Sequence, residues 1–131
     1  MSQPLPAMIQ KVVAAFFAAT RDMDPEAWIA TFAEDVVSQD PVGGVPMHGT
    51  QGLREFFHMI AELFERMGLT EDSVFVAGNG AAVKWTGRGT GKNGADITFE
   101  GIHVFDVNDQ GKIQKVWGYW DPTRIMAALM S

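Results

Sequence analysis

Cysteine is missing from this 131-residue chain, tyrosine occurs once, and ten basic residues stand against sixteen acidic ones. Without cysteine there is no disulfide, no thiol nucleophile and no zinc site built on thiolates. The net charge of −6 argues against a phosphate-backbone partner, so no nucleic acid is expected. No apolar run approaches the roughly 18 residues of a membrane span. The N-terminus also lacks the basic region and apolar segment of a signal peptide, so a cytoplasmic protein with no membrane contact is expected. Repeats, low-complexity tracts and composition shifts are absent too, and residues 1–131 read as one domain. What the chain does have is 47% hydrophobic residues. That is too much for wholesale disorder and enough for a core with one internal pocket.

Apolar residues recur at three- and four-residue spacing over residues 8–20, which predicts a first helix burying Ile9, Val12, Val13, Phe16 and Phe17. Asp24-Pro25-Glu26 reads as a cap, a first-turn proline and an early acid, so a short second helix should run to about Phe32. Residues 36–39 are a short extended piece leading into Asp40-Pro41-Val42-Gly43-Gly44, a loop by its proline and paired glycines. A third helix is expected from a Thr50 cap, with Leu53, Phe56, Phe57, Ile60, Leu63, Phe64 and Met67 as its apolar stripe and Gly68 as its stop. The period then changes to two. Residues 74–76, 82–88, 97–107 and 112–120 read as four strands, separated by glycine-containing turns. Asp121-Pro122 restarts a helix with Ile125, Met126 and Leu129 on its apolar side. Helices followed by an antiparallel meander make an α+β fold, with helices covering one face of a curved sheet.

Phe32-Ala33-Glu34-Asp35, Asp40-Pro41-Val42-Gly43, Pro46, Gly49-Thr50 and Leu53-Arg54-Glu55-Phe56-Phe57 together resemble the bacterial ketosteroid isomerases. The element order is similar to the cone shared by nuclear transport factor 2 (NTF2), ketosteroid isomerase and the SnoaL-type polyketide cyclases. The resemblance implies an NTF2-like cone whose N-terminal helices and curved sheet enclose a pocket. It also implies a general base at Asp40, since in those isomerases the aspartate before Pro-Val-Gly removes the carbon-bound proton. A tyrosine and a protonated aspartate there stabilise the enolate oxygen. Counting back without a gap puts Phe16 at the position of the tyrosine, and counting forward through Gly111-Lys112 puts His103 at that of the second aspartate. Phenylalanine has no donor, and losing one such donor typically costs about 10²–10³ in rate. Ordinary ketosteroid isomerisation is therefore expected to be weak. SnoaL-like cyclases pair aspartate with histidine, so Asp40 as base and His103 as donor or acid fit isomerase-like, cyclase-like or hydrolase-like chemistry alike.

Strand alternation puts Gly101, His103 and Phe105 on one face of their strand, Val83, Trp85 and Gly87 together on another, and Val116, Gly118 and Trp120 together on the last. If these sets face the cone, Phe16, Trp85, Phe105 and Trp120 become walls of an apolar cavity. Trp117 and Tyr119 then fall on the outer sheet face, where exposed rings suggest a homodimer surface. Other candidates have plainer readings. Asp121 is explained as an N-cap, and His48 and His58 as surface residues. Gly87-Arg88-Gly89-Thr90-Gly91 is a hairpin end without the strand–loop–helix setting and lysine of a phosphate loop. The three histidines lack metal-ligand spacing. The expected ligand is a small apolar carbonyl or polycyclic compound, handled by acid–base chemistry with no cofactor and no metal. The alternative is a non-catalytic ligand carrier or dimerisation module on the same fold.

Overall fold

The structure is a computed structural model that describes residues 4–130. Helix α1 (Pro6–Asp22) buries Ile9, Val12, Val13, Phe16 and Phe17, the side its periodicity marks. Asp24 caps α2 (Pro25–Ile29) by accepting the Ala27 N–H at 3.1 Å. That helix stops short of Phe32, because Phe32–Gln39 is already strand β1. Strand β2 (Met47–His48) pairs antiparallel with β1. Helix α3 (Thr50–Leu63) follows, then β3 (Phe64–Ala77), β4 (Gly80–Gly91), β5 (Asp96–Val107), β6 (Ile113–Tyr119) and α4 (Pro122–Leu129). Asp121 caps α4 by accepting the Thr123 N–H at 3.0 Å, as the plainer reading of that residue expects.

The expected third helix needs correction at both ends. Its N-cap residue is Gly49, at φ 80°, and no side chain caps it, so Thr50 is the first helical residue and not the cap. Its last residue is Leu63, and Phe64 and Met67 belong to β3. Both apolar residues fit a helical stripe from Ile60. Pairing along the whole of β4, from Phe64 opposite Gly91 to Ala77 opposite Gly80, decides for strand. Gly68 is therefore no helix stop. A Cβ there would collide with the backbone and side chain of Arg21, so the glycine lets α1 press against β3.

The sheet is six-stranded in the order β2-β1-β6-β5-β4-β3. The meander β3–β6 is antiparallel throughout, as expected, but β1 joins β6 in parallel. The N-terminal helices pack on one face of this curved, unclosed sheet. Between the layers lie Ile9, Phe17, Leu53, Val83, Phe105 and Ile113, all shut from water. Burying each such side chain contributes roughly 1.5–3 kcal/mol.

Candidate active site

Register brings the site together. Val83, His103 and Gly118 stand side by side on β4, β5 and β6, facing the helices. Asp40 follows directly on β1, where a cis Asp40–Pro41 bond turns the chain. The Val42 N–H then donates to the Gly118 carbonyl at 2.7 Å, which pins the loop against β6. Gly118 leaves the room in which Asp40 and His103 meet: a methyl group there would occupy the place of the Asp40 carboxylate and crowd the His103 ring.

Asp40 and His103 form a buried pair, with side chains 7% and 2% exposed and His103 Nε2 3.1 Å from Asp40 Oδ2. Trp85 Nε1 donates to His103 Nδ1 at 2.6 Å. Indole can only donate, so Nδ1 must be the acceptor and the ring proton sits on Nε2, directed at Asp40. The other carboxylate oxygen, Oδ1, accepts the Trp120 N–H at 2.5 Å. One carboxylate thus receives two N–H donors, and the imidazole between is held at both nitrogens. Phe105 stacks on the His103 ring at 5.7 Å between centroids, and Phe16 leans on it at 5.5 Å.

Beside this pair lies an apolar cavity of about 80 Å³. That is space for several waters or one small ring system. Phe16, Trp85 and Trp120 line it, and so do Asp40 and His103. Phe105 does not. It is fully buried behind His103 and supports the imidazole instead of forming a wall. Trp28 of α2 lines the cavity from the helix side, together with Phe57 and Ile60 of α3.

Strand alternation marks Trp85 and Trp120 as apolar wall only; the structure shows both as donors to the Asp40–His103 pair. Alternation places Gly101 and Gly118 on the inner face but gives them no part in making room for the site. A Cβ on Gly101 would strike the Trp85 ring and the Tyr119 carbonyl, so this glycine gives the Trp85 indole its place beside His103. The available signal was glycine in the interior of a strand, which marks close approach. His48 and His58 are exposed. Gly87, Gly89 and Gly91 lie in the C-terminal half of strand β4, where Phe99, Phe64 and Leu129 fill the room that side chains would take.

Hydrogen bonds from Thr86 and then Lys84 hold the exposed Asp72 carboxyl below its ordinary range, and Arg54 does the same for Glu26. Among the described residues no three of His, Asp and Glu gather as a metal site, and no helix is long and apolar enough to cross a membrane.

A family model for the SnoaL-like domain matches residues 13–116. Solved structures superpose over nearly the whole chain. TerC, crystallised with polyporic acid, aligns with a TM-score of 0.83 at 22% identity, over 95% of this chain and 99% of its own. An NTF2-like protein of unknown function from Burkholderia pseudomallei aligns with a TM-score of 0.84 at 22% identity, over 100% of both chains. An LEH-like epoxide hydrolase from Mycobacterium tuberculosis aligns with a TM-score of 0.77 at 18% identity, over 95% of this chain and 90% of its own. At these identities the superpositions speak for the fold.

Proposed function

The chain belongs to the SnoaL-like domain family, on an NTF2-like fold, and from that premise we propose a cofactor-free enzyme in which Asp40 removes a proton from a small apolar carbonyl or polycyclic compound. The observation that carries this reading is a carboxylate almost shut from water on the wall of an apolar cavity, with both oxygens held by N–H groups. Each carboxylate oxygen accepts one such bond and keeps a second lone pair for a proton. Fixed donors aim the carboxylate without solvent reorganisation, and the surrounding apolar wall excludes competing water.

His103 takes a different part from the one its sequence position suggests. Its single N–H is spent on Asp40, so it positions the base and is not free to donate to substrate. A proton held by Asp40 after abstraction can return to another carbon of the same ligand, which is isomerisation, or to an oxygen after ring closure. Deuterium uptake at the α-carbon of 2-tetralone in D₂O tests the base. We expect exchange above the buffer rate, reduced about 10²–10⁴-fold in Asp40→Asn. Exchange no faster than buffer at saturating ketone would sink the assignment.

A second copy of this chain is the proposed partner. Phe75, Ala82, Val104 and Trp117 lie in register across β3, β4, β5 and β6 on the sheet face away from the cavity, with Ile102 and Tyr119 adjacent. Phe75 is 70% and Tyr119 52% exposed. A two-fold axis through such a face buries it against itself.

A further inference from the structure

Five residues on the cavity wall carry a side-chain N–H or O–H: Thr20, Trp28, Trp85, His103 and Trp120. Four of them are committed within the protein. Thr20 donates to the Phe17 carbonyl, Trp85 to His103, and His103 and Trp120 to Asp40. Trp28 is the exception. The residue is 3% exposed, and its Nε1 is buried without a hydrogen-bond partner. The only other such atom among the described residues is the Ser38 hydroxyl, which does not line the cavity.

We propose that the Trp28 N–H is the docking point for a ketone oxygen, so that the cavity selects apolar ring compounds carrying a hydrogen-bond acceptor over the corresponding hydrocarbons. The proposal rests on reading the cavity as a ligand site. Its position follows from local structure. Asp24 and Pro25 start α2, and Trp28 one turn on is wedged among Phe16, Phe32 and Phe57 at centroid distances of 5.6, 4.9 and 5.1 Å. Packed on three sides, the indole has little freedom to carry its N–H elsewhere. Buried donors are nearly always paired, and an unpaired one on a residue that borders a cavity gains its missing bond when a ligand pressing against that wall supplies the acceptor. Phe16, next to it, offers no hydroxyl, and the His103 proton is taken. A ketone held at Trp28 would have its carbonyl polarised by an N–H while Asp40, on the same cavity, faces its acidic carbons. Indole neither accepts nor titrates, so the donor is the same at every working pH.

Binding of 1-indanone and of indane, matched in shape and differing in the carbonyl, tests this by calorimetry on the native protein and on Trp28→Phe. The expected result is that Trp28→Phe weakens 1-indanone about tenfold and leaves indane unchanged, the worth of one hydrogen bond. In the native protein, the indole N–H proton resonance lost in Trp28→Phe should move downfield with 1-indanone and stay in place with indane. This measurement stands even if the variant folds poorly. Equal weakening of both compounds would make Trp28 a wall and nothing more. No weakening of either, with an unmoved resonance, would place its N–H against the Phe32 ring and overturn the proposal, while the Asp40 exchange assay could still succeed. If neither compound binds the native protein, the ligand-site reading falls and this proposal with it.

Discussion

The two faces of the sheet reverse the usual distribution of polarity. On the inner face, the row through Val83, His103 and Gly118 carries a buried imidazole against a buried carboxylate, each bonded to an indole. On the outer face, one residue along, the row through Phe75, Ala82, Val104 and Trp117 is apolar and partly in water. Strand alternation generates both rows from neighbouring residues of β4, β5 and β6. The inner row is dear in free energy unless every group is paired, whereas the outer row is soluble only while small or covered. A site is therefore marked by polarity where the fold is driest, and an interface by apolarity where it is wettest.

That contrast can be broken at single atoms. Gly118→Ala adds one methyl to the inner row, and we expect it to have the largest effect. The carboxylate must move off His103 or Trp120, so α-proton exchange should fall toward the Asp40→Asn level. Stability should drop by about 1–3 kcal/mol in a urea titration, the cost of overpacking. A fully active Gly118→Ala protein would mean that the Asp40 geometry is not what the reaction uses. Trp85→Phe comes next. It leaves His103 Nδ1 without its donor at a cost of about 1–3 kcal/mol. Imidazole ¹⁵N chemical shifts should then change from one tautomer, protonated at Nε2, to a mixture. An unchanged spectrum would show that Asp40 alone sets the tautomer. Trp117→Glu, on the outer row, should be the mildest for the folded chain, within about 0.5 kcal/mol. Light scattering should show it shifted from dimer to monomer with the exchange rate retained. A native protein that is monomeric at micromolar concentration would remove the dimer proposal.

Much of this contrast was legible in the sequence. Alternation along β5 and β6 separates His103 from Ile102 and Gly118 from Trp117 and Tyr119 without knowledge of the fold. The run around Asp40-Pro41-Val42-Gly43 marks the loop that delivers the carboxylate, and caps at Asp24 and Asp121 mark where α2 and α4 begin. The α3–β3 boundary was not legible, because Phe64 and Met67 satisfy both a helical stripe and a strand. Only pairing with a segment some twenty residues on in the chain resolves it. The hydrogen bonds of Trp85 and Trp120 were hidden for a related reason. Pattern places an indole on a face, but whether its N–H meets a histidine depends on ring orientation, which here requires Gly101 to have no side chain. Alternation puts His103 on the inner face of β5, but that its N–H is directed at Asp40 depends on the Trp85 contact to its other nitrogen, which pattern does not carry.

Placement of the four tryptophans has an optical consequence. Trp28, Trp85 and Trp120 border the cavity, while Trp117 alone stands on the opposite side of the sheet. Intrinsic emission from this chain is therefore mostly a report on the cavity, from three chromophores with nearly fixed surroundings. A carbonyl compound entering should quench them and leave Trp117 bright. Replacing Trp117 by phenylalanine would isolate the occupancy signal, and following Trp117 alone would report whether the outer face meets a second chain. The protein thus carries separate built-in dyes for its inside and its outside.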